Sequence, residues 1–441
     1  MPVNKKYYIL TFGCQMNNRD SEIMAGLLEQ EGYTQASAPE ESDLVVLNTC
    51  SVRHSAENKV FGKLGDLQQL KQRHPELLIA LGGCMAHVPE SVQRVRPQTD
   101  IIFGTSSIKD LPRLVREAAS REHKRPIIDV NTRPVVIGSE LPSRRGSAVT
   151  AFVNIMYGCD NFCSYCIVPY TRGRERSRAV HDIIRELCEL AEQGIKEVTL
   201  LGQNVNSYGR GLPEDIDFAE LLHRAAAVDG LERIRFTTSH PRDVSERLIA
   251  ALAQEPKVCE HIHVAMQAGS NKVLKRMNRR YTREYYLELI ERMRAAVPGL
   301  AVSTDIIVGF PGETDTDFQD TLDMVEKIRF DSAFTFLFSP RSGTRAAAMQ
   351  GQLPREVKQQ RLLELNRVQY GIAAQKNKAL EGKILQVLVE GTSKSDSAML
   401  SGRSRSNHIV IFSGGKELTG RLINVRITEA KTFSIFGQAQ L

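Results

Sequence analysis

Over the first ~125 residues, short apolar runs alternate with longer segments whose apolar positions recur with a helical period. That alternation predicts a parallel sheet crossed by helices. Tyr7–Phe12, Leu44–Asn48, Leu77–Leu81 and Ile101–Phe103 read as strands, and Ser21–Glu31 and Ala56–Arg73 as helices. Thr132–Gly146, rich in Pro, Gly, Ser and Arg, reads as a linker. The alternation restarts at Ala151 with six strand candidates: Phe152–Met156, Glu197–Leu201, Arg233–Thr237, His261–Met266, Val302–Val308 and Ala333–Phe338. Asp182–Gln193 and Arg283–Ala296 are helical segments between them. Six such units predict an open, partial β/α barrel rather than a closed one of eight. Pro354–Leu380 reads as a long polar helix leaving it. In the tail, Ile384–Glu390, His408–Phe412 and Leu422–Ile427 are short strand patterns divided by Gly and Ser turns, as in a small β-barrel.

The 441 residues are 41% hydrophobic and 25% charged, enough to bury two or three cores. Lys and Arg number 58 against 52 Asp and Glu, a net charge of +6. So mild an excess permits a polyanionic partner without requiring one. The start, MPVNKKYYILTFG, has no signal-peptide pattern, and no run reaches the ~18 apolar residues of a membrane span. The chain reads as soluble and cytoplasmic. Eight cysteines in such a chain point to metal or redox chemistry rather than a disulfide framework.

Three of them, Cys159, Cys163 and Cys166, form C-x3-C-x2-C just after the first barrel strand. One loop at a strand end can wrap such thiolates around one face of an iron–sulfur cluster. A cubane normally takes four cysteines, so three leave one iron open to a substrate or cofactor. A structural zinc site is the plainer alternative, but zinc motifs supply four Cys or His ligands and no second pair lies nearby. Cys14, Cys50 and Cys84 are far apart in sequence, yet each closes a strand candidate: YYILTFGC, DLVVLNTC and LLIALGGC. Residues just past parallel strands gather along one sheet edge, where ligands bind. These thiols therefore make a second three-ligand site, with Gly13 and Gly82–Gly83 allowing close approach. Buried strand cysteines, or zinc completed by His54 or His87, remain open alternatives. Cys188 and Cys259 have no such context and read as core residues.

With these residues located, the sequence resembles the radical S-adenosylmethionine (SAM) methylthiotransferases over essentially its whole length. Phe12-Gly-Cys14-Gln-Met-Asn, Asn48-Thr-Cys50-Ser-Val-Arg and Gly82-Gly-Cys84-Met-Ala are similar to the three ligand segments of that family's N-terminal domain. The run from Gly158 through the three cysteines to Arg178 resembles its radical SAM signature, and the tail resembles the RNA-binding TRAM module. Gln15-Met16-Asn17 and Cys50-Ser51-Val52-Arg53 favour the branch acting on isopentenyladenosine in tRNA. The sister branches act on threonylcarbamoyl-adenosine in tRNA or on a ribosomal protein. One departure is His263-Val-Ala-Met-Gln-Ala-Gly-Ser270, where the family reads closer to Leu-Pro-Val-Gln-Ser-Gly-Ser.

The resemblance implies an α/β chain in three parts. A Rossmann-like N-terminal domain over residues 5–122 would hold an auxiliary cluster. A partial (β/α)6 radical SAM core would span 145–375, and a TRAM barrel 378–441. It implies two [4Fe-4S] clusters, SAM, and insertion of a methylthio group at C2 of N6-(dimethylallyl)adenosine at position 37 of tRNA. The implied partners are the anticodon stem-loop carrying that base and an electron donor such as a flavodoxin or ferredoxin, with the enzyme acting as a monomer. Candidates for holding SAM at the barrel mouth are Tyr165, Gln203, Asn204, Thr238, Ser239, Gln267 and Asp305, although polar residues at strand ends also serve as caps. Arg172, Arg174, Arg176 and Arg178 are candidate tRNA-phosphate contacts beside the cluster loop, against the plainer reading of a solvated charged face. Between Lys383 and Leu441 eight Lys or Arg face four Asp or Glu, and Arg403, Arg405 and Arg421 are the candidates there. A different class of function is an iron–sulfur RNA-binding sensor without turnover, for which six barrel units would be superfluous.

Overall fold

The structure, a computed structural model, describes residues 5–51, 54–121, 125–130 and 141–440, with the side chains of His54, Ser55 and Ala56 outside the described set. Strands β1 (Lys6–Thr11), β2 (Thr34–Gln35), β3 (Leu44–Thr49), β4 (Leu78–Gly83), β5 (Ile101–Phe103) and β6 (Ile127–Asp129) form one parallel sheet in the order β2-β1-β3-β4-β5-β6. Every residue of β3 is buried, because helices cover both faces of a parallel sheet. Leu44 and Val46 face one apolar cluster, and Val45 and Leu47 the other. The strand order reverses between β1 and β3, the place where open α/β sheets bind ligands. Cys14 and Cys50 follow those two strands, and Cys84 follows the neighbouring β4. The first helix, Gln15–Gln30, starts directly after Cys14, six residues before the periodicity indicates. Its opening turn is polar in sequence, yet Met16, Asn17, Arg19 and Asp20 are buried there.

The expected linker falls mostly outside the described residues, and its described end is pinned. Arg144 pairs with Glu29, and Arg145 with Glu22 and Glu186.

Strands β7 (Thr150–Asn154), β10 (Glu197–Leu201) and β11 (Arg233–Phe236) form one parallel sheet, and β12 (His261–His263), β13 (Ala301–Val308) and β14 (Ser332–Leu337) another. A short antiparallel pair, β8 (Met156–Tyr157) with β9 (Arg176–Ser177), brackets the cysteine loop. Parallel bridges Ile234–Val258 and Ser239–Val264 join the two sheets into an open six-stranded curve around one large apolar core. β12 is three residues long rather than six. After His263 the ladder stops, because the Met266 N–H donates to Thr304 Oγ1 and Gln267 adopts φ +69°.

The tail closes into a five-stranded barrel of β15 (Ile384–Thr392), β16 (Leu400–Ser404), β17 (Ile409–Ser413), β18 (Leu422–Ala430) and β19 (Ile435–Gln440), in the order β15-β16-β17-β19-β18. β16 and β19 escape the sequence pattern because LSGRS and IFGQAQ hold few apolar side chains. This barrel is fastened under the β10–β12 strand starts. Arg233 and Arg235, both buried, donate to the backbone carbonyls of Gln386, Arg403, Ser404 and Arg405. Glu197 balances their charge.

Candidate active site

The C-x3-C-x2-C loop leaves β8 through Gly158, whose φ of +76° and contact with the Arg174 carbonyl leave no room for a side chain. Its N–H donates to Gln203 Oε1, and Gln203 Nε2 donates in turn to the Met16 sulfur on the front domain. Gln203 therefore clamps the cysteine loop to the first helix of the front domain. Asn161 Nδ2 donates to Cys159 Sγ at 3.4 Å, and Arg279 Nη1 donates to Cys163 Sγ at 3.4 Å. Burial raises the Cys159 thiol. Burial, with Cys163 alongside, pushes Cys166 up to about 12. Burial thus disfavours the Cys159 and Cys166 thiolates unless cations take them, and cluster irons are such cations.

The front trio is built the same way. Cys14 Sγ donates to Asn17 Oδ1 at 3.2 Å, and a Cβ on Gly13 would lie 2.6 Å from the Cys50 Cβ. Burial raises the Cys84 thiol, partly offset by Arg172, whose guanidinium also feels Cys14. Arg172 comes from the other loop, just past Cys166, so it ties the two thiol trios together. Its Nη2 donates to Asp20 Oδ2 at 2.8 Å, and the pair is almost wholly buried. Among the described residues no three His, Cys, Asp or Glu side chains gather as tightly as one ion requires. A cubane binds each thiolate at a different iron, so its ligands stand further apart than those of zinc. The donor chemistry and the two buried arginines fit one cluster at each trio.

A cavity of about 800 Å3 opens beside Cys166, walled by Tyr165, Gln267, Asp305, Ile307 and Phe338 among others. It falls in the usual range of small-molecule sites. Two buried polar atoms among the SAM candidates have no partner, Gln267 Oε1 and Ser239 Oγ. Thr238 and Gln267 hold left-handed backbone, φ +74° and +69°. For a β-branched residue such as Thr238 that conformation is costly, and such strain gathers at functional sites. Asn204 is different. Its amide is spent on Asp243 Oδ2 and the His240 N–H, so its role is to hold the loop after β11.

The arginine expectations need correction. Arg172 and Arg178 are buried, the first on Asp20 and the second on Glu186 and the Asn154 carbonyl. A guanidinium so enclosed does not reach a phosphate outside. Arg176 is half-buried, and Arg174 is exposed beside Asp160. In the tail Arg405 grips Glu260 and the Val258 carbonyl, and Arg403 is taken by Glu390 and Asn407. Only Arg421 of the three is exposed. Cys188, read as core, lies exposed on its helix, whereas Cys259 is buried as expected. His87 accepts the Thr105 N–H through Nε2. Arg279 escaped the sequence reading, because Asn278-Arg279-Arg280 looks like a surface basic run. Positive φ at Asn278 and Arg280 turns Arg279 inward, which no spacing reveals.

Comparison with known proteins bears on this geometry. The Radical SAM superfamily matches residues 153–325, the TRAM domain residues 378–439, and the model described as uncharacterized protein family UPF0004 residues 6–104. A tRNA-2-methylthio-N(6)-dimethylallyladenosine synthase from Syntrophomonas wolfei is 63% identical, covering 98% of this chain and 97% of its own. One from Moorella thermoacetica is 52% identical over 98% of each. The chain belongs to this synthase family. It is a radical SAM transferase, and that family implies SAM and a [4Fe-4S] cluster. Among solved structures, the radical SAM methyltransferase TsrM from Kitasatospora setae aligns with TM-score 0.58 and 16% identity, over 78% of this chain and 77% of its own. The cobalamin-dependent enzyme OxsB aligns with TM-score 0.52 and 16% identity, over 84% and 58%. Both likenesses speak to fold alone. As for membranes, no helix among the described residues is long and apolar enough to cross one.

Proposed function

We propose that this synthase-family chain inserts a methylthio group at C2 of N6-(dimethylallyl)adenosine in tRNA with two three-cysteine centres that face each other. One observation carries this reading: Arg172, from the loop of Cys159, Cys163 and Cys166, is buried against Cys84 and Cys14 of the other trio. Sulfur and radical chemistry would then meet in one place. In this reading Cys159, Cys163 and Cys166 hold the radical SAM cluster, and Cys14, Cys50 and Cys84 hold a second. Bound there, one cluster would supply the electron for reductive cleavage of SAM, and the other would supply iron to hold the sulfur to be transferred.

The chain's own residues supply placement. Gln203 holds the Gly158 end of the loop against the first helix of the front domain, which fixes the spacing of the centres. Tyr165, Gln267 and Asp305 line the cavity for SAM, and the unpartnered Gln267 Oε1 and Ser239 Oγ are ready acceptors for its hydroxyl or amino groups. The apolar wall of Ile307, Phe336 and Phe338 keeps water from the radical. Arg174 and Arg421, the exposed members of the basic set, are left to meet tRNA phosphates. An electron from a small redox protein completes the scheme, with the enzyme working as a monomer.

Iron and sulfide analysis of anaerobically purified protein, with Mössbauer spectra, tests the cluster count. About eight irons per chain are expected, and a single cubane or zinc would overturn the two-centre reading. Cys163→Ala is expected to abolish 5′-deoxyadenosine formation, and Cys50→Ala to retain it while losing methylthio product. Methylthiolation surviving Cys50→Ala would remove the role of the front trio.

A further inference from the structure

A hydrogen-bonded chain runs through the barrel lumen from the tail barrel to the cavity wall, and its donors can be ordered. It starts at Arg403, whose Nε donates to Glu390 and whose Nη1 donates to Asn407 Oδ1 at 3.0 Å. A guanidinium only donates, so the Asn407 amide is oriented: Nδ2 is the atom 3.4 Å from His261 Nε2. An amide nitrogen also only donates, so His261 Nε2 is bare and its proton sits on Nδ1. Burial and Arg235 hold His261 well below the usual histidine range, in keeping with a neutral ring. Ser303 Oγ lies 3.0 Å from the same bare nitrogen, so its single hydrogen points there. The Ser303 lone pairs then meet His263 Nδ1 at 3.0 Å, which must carry a hydrogen.

The other His263 nitrogen, Nε2, stands 3.3 Å from Asp305 Oδ2. A bare nitrogen against a bare carboxylate would set lone pair against lone pair, so one proton belongs between them. His263 is buried, while Asp305 lies on the cavity wall. The groups facing His263 are His261 on its own strand, Ser303 and Asp305 on β13, and the Phe334 ring on β14. Arg235, Arg403 and His408 lie beyond it around His261, and Glu197 takes up the Arg235 charge.

We propose that His263 is a positioning residue that acts through Asp305. Both His263 nitrogens carry hydrogens in this arrangement, Nδ1 towards Ser303 Oγ and Nε2 towards Asp305 Oδ2. The Asp305 carboxylate thereby faces the cavity as an anchored anion that accepts hydrogen bonds from hydroxyl or amino groups of the bound nucleoside. The nucleoside part rests on the reading of the cavity given above; the proton order does not.

15N-histidine NMR of the full-length, anaerobically reconstituted chain with oxidised clusters reads the protons directly. At pH 7 one imidazole is expected with both nitrogens protonated, its signals absent from His263→Gln and returned to a neutral ring by Asp305→Asn. A second, His261, is expected as the Nδ1–H tautomer and to lose that preference in Asn407→Gly, which tolerates the φ of +72° there. By calorimetry SAM is expected to bind ~10-fold more weakly to His263→Gln and to Asp305→Asn, the loss of about one charge-assisted hydrogen bond. The double variant should bind no more weakly than Asp305→Asn alone. A neutral His263 in the unsubstituted chain would overturn the proposal, as would wild-type SAM affinity in both single variants. If the unsubstituted chain bound no SAM, the reading of the cavity would fail while the NMR still decided the proton order.

Discussion

Arg172 Nη2 lies 2.8 Å from Asp20 Oδ2, with both side chains almost entirely out of water. The pair joins the loop after Cys166 to the helix after Cys14, so one ion pair spans the two candidate cluster sites. Removing one partner of such a pair strands a buried charge, which costs about 3–5 kcal/mol. Asp20→Asn is therefore expected to lower urea-unfolding stability by about that much. Arg174→Ala breaks the solvent-exposed pair with Asp160 on the same loop and is expected to cost under ~1 kcal/mol. Equal losses for the two variants would contradict the burial argument.

The Arg279 contact with Cys163 leads to an electrochemical expectation. Arg279 is buried, donates to Cys163 Sγ and the Ala265 carbonyl, and contacts the Tyr281 hydroxyl. A positive donor beside a cluster ligand favours the more negative, reduced state. Arg279→Leu should lower the reduction potential of that cluster by on the order of 60 mV, a tenfold change for a one-electron couple. An EPR-monitored redox titration checks it, and an unmoved potential would show that Arg279 serves packing alone.

Acid stability should depend on Asp317. Burial would raise its carboxyl, but hydrogen bonds from Ser270, the Thr314 N–H and hydroxyl, and Lys272 outweigh that and hold it at about 2. A carboxyl lowered on folding stabilises above its ordinary value of 3.8 and loses that contribution as pH falls towards 2. Asp317→Asn should be less stable at neutral pH and should show a flatter fall between those two values. Parallel wild-type and variant curves through that window would refute the assignment.

The elements most legible in the sequence are those whose pattern is apolar and local. Ile101–Phe103, Glu197–Leu201 and Arg283–Ala296 occupy the residues that their periodicity indicates. Elements that answer to distant partners were less so. The start of the Gln15–Gln30 helix is polar, because Asn17 and Asp20 bind groups on other segments: the Asn48 side chain and Arg172. β16 and β19 exist because neighbouring strands pair with them inside a closed barrel, not because their own residues are strand-like.

The same division runs through the site. Short spacing was enough to single out Cys159, Cys163 and Cys166, and a shared place just past a strand singled out Cys14, Cys50 and Cys84, although they are far apart in sequence. The arginines were not separable that way. Arg172, Arg174, Arg176 and Arg178 look alike in sequence, yet Arg172 and Arg178 are sealed inside while Arg174 meets solvent. Composition and local pattern determined the three-part α/β architecture and the positions of the thiols. Tertiary structure alone decided which charges are buried and which histidine backs Asp305. A charge's role depends on what folds against it from far along the chain, and such partners leave no mark on local sequence.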